Sequence, residues 1–406
     1  MASASTLTTV AFIYKRLYSD KQVADIAMRD HVWWARVQKE GGFTGDSFLY
    51  PIRYGNPQGI SSTFATAQTN AKSSKGVQMR AYRKSQFGVI TLDGEAIAAS
   101  KGNKGAFMDL VTMETDRIIE ELGDTLAFNF WRSKDQLLGR GASAVGNVIT
   151  LAEPSDARNF KVGMVVSSDN TSTGASPNTG TTFVTAVDED GGTVTFDDVT
   201  DITSFAATDY FFREGSTGQV GMEGLEDNIP LTAPVAGSDS FREVDRGVDP
   251  RRLAGSRLDD TSLTAEVALM RLAVKISNVG RSHAVDEAYV NPTHFFNMAQ
   301  RLNAKVEYND GGGTANVGFQ YIQLHTAAGS MRVYADPDAP MNRGRCSRQG
   351  SLYVKHLDGL PHIIDDDGNM SLRQTTSDGV ETRAVARCNL IVPDPSAQGV
   401  CSLPTS

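Results

Sequence analysis

The residues best placed to bind a metal ion lie in two acidic loops and one histidine–carboxylate pair. Asp365–Asn369 and Asp188–Gly192 combine side-chain oxygens with glycine, as calcium loops do, but neither follows the twelve-residue calcium spacing, so both are predicted to be solvated turns. His283 and Glu287 stand four residues apart, a spacing that aligns two ligands on a helix. Because Gly280 is predicted to end the preceding helix, we interpret them as a surface pair. The sequence predicts no metal site.

Nucleophiles and phosphate-binding loops are not indicated either. Gly45-Asp46-Ser47 lacks the second glycine of an esterase elbow and has no evident histidine partner. No glycine-rich loop is followed by Lys and Ser/Thr, so the sequence predicts no phosphate-binding site for nucleotide hydrolysis. Gly139–Gly141 and Gly311–Gly313 are predicted to be turns. We therefore predict no catalytic residue, no cofactor and no enzyme activity.

Composition narrows the class of protein. A chain of 406 residues is long enough for two or three domains, and 40% hydrophobic with 21% charged residues is ordinary for a soluble protein. No apolar run reaches the roughly 20 residues of a membrane span, and the N-terminus reverses the order of a secretory signal. Three scattered cysteines indicate neither disulfides nor zinc, so synthesis in a reducing cytosol is predicted. A net charge of −9 disfavours a protein whose main task is to bind DNA directly, but it is compatible with a protein that encloses DNA.

The first ninety-odd residues carry little core of their own. A short helix is predicted around Lys21–Val37, and Trp33 and Trp34 at its end must pack against something. We expect a neighbouring subunit to supply that surface; the alternative is their own domain. Phe48–Gly55 and Val77–Lys84 are predicted strands that flank a small, polar stretch. The pattern indicates an extended two-stranded arm that lies on a neighbour, since a lone hairpin is only marginally stable.

A long helix and a β-rich insert follow. Residues 103–134 have an apolar stripe at helical spacing, and at 1.5 Å per residue the helix would be roughly 45 Å long. Short β runs between 141 and 215, separated by Gly, Asp, Asn and Ser, predict a small β-barrel or sandwich. A second helix is predicted at Ser262–Val279, and a third after Asn291-Pro292. The last strand is predicted at Arg383–Val392.

The predicted arm and the long helix carry charges of opposite sign. The basic residues are Lys72, Lys75, Arg80, Arg83 and Lys84, and the acidic ones on the helix are Asp116, Glu120 and Asp124. One interpretation is two solvated faces. The functional hypothesis is that the arm of one subunit lies over the acidic helix of the next, with apolar burial added because exposed ion pairs contribute only about 0–1 kcal/mol each.

Several motifs and their order carry a family resemblance. The most distinctive are Gly224–Pro230, Asp245–Gly255, Val290–Thr293 and Asn389–Pro395. With the N-terminal segment, extended arm, long helix and mixed α/β half, they make the chain resemble the major capsid protein of tailed double-stranded DNA phages, over nearly its whole length. The resemblance implies an α+β, HK-ninety-seven-type capsid fold with N-arm, E-loop, peripheral (P) domain on a long spine helix, and axial (A) domain.

The resemblance also implies a division of the chain. The expected segments are the N-arm 1–44, the E-loop 45–95, the P domain with spine helix 96–140, an inserted small β-barrel-like domain 141–215, the P domain continuation with the second helix 216–283, the A domain 284–370, and a return to the P domain 371–406. Some members crosslink a Lys to an Asn between subunits, but no residue pair in the sequence indicates such a crosslink.

The function implied is a structural subunit that self-assembles through hexamers and pentamers into an icosahedral shell enclosing phage DNA without sequence-specific binding. Its partners would be other copies of itself, with scaffolding, portal and decoration proteins as further candidates, and no membrane. It would be made in the host cytoplasm and located in the virion. Two alternatives stay open: an encapsulin-like nanocompartment shell of the same fold, and an adhesin-like β-rich surface protein.

Overall fold

The computed structural model describes residues 31–93, 104–279, 285–303, 321–365, 372–373 and 378–404. Within these ranges the α-helices are α1 (Val32–Arg36), α2 (Phe64–Thr69), α3 (Lys104–Trp131), α4 (Leu225–Asn228), α5 (Pro250–Leu253), α6 (Ala265–Ser277) and α7 (Pro292–Asn303). Among these helices, none combines the length and the hydropathy that crossing a bilayer requires.

The β-strands of the described residues form three sheets and a two-stranded ribbon. They are β1 (Gln38–Glu40), β2 (Ser47–Gly55), β3 (Lys75–Tyr82), β4 (Lys84–Asp93), β5 (Leu137–Val145), β6 (Val148–Leu151), β7 (Val165–Asp169), β8 (Thr182–Asp188), β9 (Thr193–Phe196), β10 (Tyr210–Arg213), β11 (Ser256–Leu258), β12 (Glu287–Val290), β13 (Ile322–Thr326), β14 (Gly329–Ala335), β15 (Arg343–Ser347), β16 (Tyr353–His356), β17 (His362–Ile363), β18 (Leu372–Arg373), β19 (Gly379–Ile391) and β20 (Gly399–Ser402).

The first sheet is built around the long strand β19, which pairs with β4, β16, β17 and β18, while β1 adds to β16 in parallel. Helix α3 packs across β4 and β19. The predicted apolar stripe of this helix is confirmed at Leu122, Leu126 and Phe130, each at most 5% exposed, because helical spacing places them on the face toward the sheet. The helix predicted at 103–134 is thus confirmed with slightly tighter ends.

The second sheet has the order β11-β20-β15-β12-β14-β13 and is covered by α6 and α7. The predicted cap at Asn291 is confirmed, since its side chain accepts a hydrogen bond from the Thr293 N–H at 3.0 Å. This sheet also takes β11 and β20, and β16 belongs to the first sheet, so the sheets do not divide at the expected A-domain limits of 284 and 370.

The inserted segment is a closed six-stranded barrel, β10-β5-β6-β9-β8-β7, which confirms the predicted small β domain. Phe160, Phe196 and Phe211 fill its centre, with the rings of the last two 5.2 Å apart. The turn predicted at Gly139–Gly141 is wrong, since both glycines lie within β5. A Cβ on Gly141 would stand 2.1 Å from the Ala207 carbonyl oxygen, so this glycine permits close backbone approach rather than a turn.

Candidate assembly interface

Strands β2 and β3 form the predicted two-stranded arm. They pair from Ser47↔Tyr82 to Gly55↔Lys75, and beyond them Gln58 and Lys72 form an isolated bridge in the tip. Helix α2 lies in this tip and has no buried residue. The arm therefore ends in a segment that the described part of the chain leaves exposed.

The base of the arm is fixed to the chain's own body. One face of the ribbon, including Met79 and Ala81, packs against Val244, Leu253 and Ile391. This outcome confirms the predicted alternation of the second strand, because Met79 and Ala81 are buried while Gln78 and Tyr82 are exposed. The arm is consequently packed against the body at its base, while its described tip residues are exposed.

A buried hydrogen-bond network fastens that base. The guanidinium of Arg242 donates to the Glu223 carboxylate at 2.8 Å, to the Tyr50 hydroxyl at 2.6 Å and to the Leu390 carbonyl at 2.7 Å. The Asn389 amide donates to the same Glu223 carboxylate at 3.0 Å. Because every partner lies out of solvent, the charged pair is held by several hydrogen bonds at once. Sequence reasoning did not find this network, whose members share no periodic pattern.

The predicted basic residues of the arm divide into two groups. Arg80 pairs with Glu243 at 3.5 Å, Arg83 donates to the Gly45 carbonyl at 2.8 Å, and Lys84 donates to the Gln219 carbonyl at 3.3 Å. These three lie at the base and serve the chain's own fold.

Lys72 and Lys75 lie toward the tip and are exposed. Of the basic residues predicted to meet a neighbouring copy, these two have the exposure that such a contact requires.

The predicted acidic residues of the spine helix also divide. Asp124 accepts hydrogen bonds from His31 at 2.9 Å and from Lys161 of the barrel domain. Burial favours the neutral form of Asp124, but these two partners outweigh it and lower its pKa. Asp124 is thus used within the chain. Glu120 is exposed and Asp116 is half-buried, so a contact of these two with a second copy stays a prediction.

The inter-subunit role expected of Trp33 and Trp34 is wrong. Trp33 is 2% and Trp34 1% exposed, and both belong to the chain's main core. Their surface comes from their own chain: Trp33 packs edge-on against Phe130 and Trp131 of α3. The alternative reading, docking on the chain's own domain, is the one the structure supports.

Sequence reasoning missed two exposed apolar side chains on the tip. Ile60 is 89% and Phe64 83% exposed. They are the only large apolar residues between Gln58 and Gly76, which is the signal that could have singled them out. Two large apolar side chains exposed so close together in the sequence make the tip a candidate contact surface.

Comparisons with known proteins bear on the fold. No family model matches the chain, and no curated protein matches it. Among solved structures, the capsid of an empty GTA particle aligns over 97% of this chain and 99% of its own, with a TM-score of 0.50 at 9% identity. The capsid protein of Cyanophage A-1(L) aligns over 100% of this chain and 98% of its own, with a TM-score of 0.52 at 9% identity. The chain has the HK-ninety-seven-type capsid fold.

The β2–β3 arm and α3 have the form expected of the E-loop and the spine helix, and which segment belongs to which capsid domain stays a prediction. The predicted fold class is confirmed. Within the part of the chain described, no group of three or more His, Cys, Asp or Glu side chains is arranged to hold a metal ion. The three cysteines are buried, and burial raises the pKa of Cys388 and Cys401 to about 12. His283 and Gly311–Gly313 lie outside the described residues.

Proposed function

We propose that this protein is the major capsid protein of a tailed double-stranded DNA phage, a structural subunit that self-assembles through hexamers and pentamers into an icosahedral shell. The observation that carries the proposal is the match of nearly the whole chain to two capsid structures. The proposed mechanism is mechanical rather than catalytic: apolar burial accumulates over many repeated contacts between copies.

The uncovered E-loop tip supports self-assembly as the reason for the fold. Ile60 and Phe64 are exposed on an arm whose base packs against the body, so the described part of a single copy leaves both apolar side chains unburied. A second copy is the partner always present at the same concentration. The net charge of −9 suits a shell that encloses DNA without gripping it.

The wider setting belongs to the same proposal. We infer synthesis in the host cytoplasm and a final location in the virion. Scaffolding, portal and decoration proteins are proposed as further partners, alongside other copies of the chain.

The test is expression of the full chain alone and together with its neighbouring genes, followed by negative-stain microscopy and analytical ultracentrifugation. Uniform hollow particles, or flat hexameric sheets, are expected. A monodisperse monomer at high concentration in both settings would contradict the proposal.

The contents of particles from the native source separate phage capsid from nanocompartment. A phage capsid is expected to protect double-stranded DNA from added nuclease, measured by extraction after digestion. Particles that contain a packaged enzyme and no nuclease-protected DNA would indicate the encapsulin-like alternative instead.

A further inference from the structure

Two parts of this protein carry net charges of opposite sign. Residues 141–215, which make up most of the barrel, contain eleven Asp and Glu against three Lys and Arg, a net charge of −8, out of −9 for the whole chain. Residues 47–84, the arm, contain six Lys and Arg and no Asp or Glu. The two parts therefore have strongly opposite charges.

The three cations of the barrel segment face the rest of their own chain. Lys161 pairs with Glu121 and Asp124 of the spine helix, and Arg213 pairs with Glu121 as well. Arg158 donates to the Ala339 carbonyl at 2.6 Å. Apart from these three cations, every charged side chain within residues 141–215 is acidic, and the structure describes that whole range. Strand β5 adds one exposed cation just before it, Arg140.

One end of the barrel combines this charge with exposed apolar side chains. Phe183 and Val165 are direct cross-strand partners, each 44% exposed. Val148, 37% exposed, pairs with Thr195 of β9, two residues before Asp197. Asp197 lies beside them, because its N–H donates to the Phe183 carbonyl at 3.0 Å. Asp201 lies against the segment that enters β8, because a Cβ on Gly180 would stand 2.0 Å from the Asp201 carbonyl oxygen. We call Val148, Val165, Phe183, Asp197 and Asp201 the barrel patch.

The tip of the arm has the complementary make-up. Ile60 and Phe64 are its exposed apolar residues, and Arg53, Lys72 and Lys75 are its exposed cations. We call these five residues the tip surface. Both surfaces thus offer apolar side chains with charges of opposite sign, and the described part of a single copy leaves both exposed.

We propose that the tip surface of one copy docks on the barrel patch of a second copy. The inference rests on the proposed self-assembly and adds which surface receives the arm. Ile60 and Phe64 cover Phe183 and Val165, while Lys72 and Lys75 face Asp197 and Asp201. The apolar contacts provide most of the affinity, since exposed ion pairs are weak, and the charges set orientation and partner choice.

Charge reversal on each side tests the contact. We expect Lys72→Glu with Lys75→Glu, and separately Asp197→Lys with Asp201→Lys, each to reduce the assembled fraction by roughly tenfold or more, measured by sedimentation. All four substitutions in one chain should return assembly to near the wild-type level. Asn at positions 197 and 201 should give a smaller loss, which covers the case in which the lysine variant does not fold. Circular dichroism and a thermal melt check each subunit.

Two matched controls locate the receiving surface. Asp188→Lys with Asp190→Lys makes the same charge change at the other end of β8, so it should leave assembly unchanged. Glu120→Lys tests the spine helix as the receiving surface. Loss of assembly in the Glu120 variant together with normal assembly of the barrel-patch variant would overturn the inference.

Two other outcomes test the docking inference and the proposed function separately. Failure of the fourfold variant to assemble better than either reversed pair would overturn the inference too. Absence of particles from the wild-type chain would instead count against the proposed function, so the two failures are distinguishable.

Discussion

Trp33 stacks face to face on Tyr289, with ring centroids 4.2 Å apart and planes 4° from parallel. Trp33 belongs to α1 and Tyr289 to β12 of the second sheet, and both are buried. The backbone N–H of Trp33 and the indole N–H of Trp131 both donate to the Asp336 carboxylate, at 3.0 and 3.2 Å. The start of the described chain is therefore locked to the spine helix and to the second sheet at one point.

Truncating this tryptophan should destabilise the whole subunit. We expect Trp33→Ala to lower the free energy of unfolding by about 3–5 kcal/mol, because it removes a large buried ring and leaves a cavity against Tyr289. Urea unfolding of the unassembled subunit measures the change. Phe64→Ala is the control, since that ring is 83% exposed and its loss should leave unfolding within about 0.5 kcal/mol. Equal effects of the two would contradict the packing described.

A second prediction concerns the buried arginine at the base of the E-loop. Arg242→Met should cost about 3–5 kcal/mol, because it leaves the Glu223 carboxylate buried without its cationic partner. Arg252→Met is the matched control: Arg252 also pairs with a carboxylate, Asp249 at 2.8 Å, but half of its side chain is exposed, so a loss below about 1 kcal/mol is expected. Chemical denaturation measures the free energy of unfolding of both variants. A loss for Arg242→Met no larger than that for Arg252→Met would contradict the stabilising role of the network.

Local patterns account for what the sequence predicted well. The stripe that ends at Phe130 repeats at helical spacing, and such a repeat needs no knowledge of the partner surface. The cap at Asn291 and the short strands of the barrel are local signals of the same kind. These elements could be placed from the residues alone.

Contacts between distant segments account for what the sequence could not give. Trp33 meets Tyr289 across 256 residues, and the helical wheel that placed Asp124 on a polar face gave no sign that His31 and Lys161 would cover it. The tip surface was only partly predicted: its lysines stood out as charges, whereas Ile60 looked like one apolar residue in a polar loop. Tertiary packing decided each of these cases.

A third prediction gives a physical reason for the glycine of the Gly224–Pro230 motif. A Cβ at Gly224 would stand 2.1 Å from the Arg132 carbonyl oxygen and 2.2 Å from that of Asn129, so the chain passes the end of the spine helix without room for a side chain. Gly224→Ala should destabilise the subunit by about 1–3 kcal/mol or more. Gly76→Ala is the control, because its Cβ would meet its nearest neighbour at an ordinary 3.4 Å. Thermal unfolding compares them, and equal melting points would contradict this explanation.

The last prediction concerns pH. Burial of the His31 ring acts to lower its pKa, but hydrogen bonds to Asp124 at 2.9 Å and Asp338 at 2.6 Å outweigh burial and raise the pKa from 6.5 to about 10. A group whose pKa is raised in the folded state stabilises it fully below the unfolded pKa, and that contribution is lost as pH rises through the folded value. The stability difference between wild type and His31→Gln should therefore shrink between about pH 6.5 and 10. Denaturant unfolding across that range measures the difference, with His325→Gln, an exposed site, as the control. A difference that stays constant with pH would show that His31 is not held as the imidazolium between the two carboxylates.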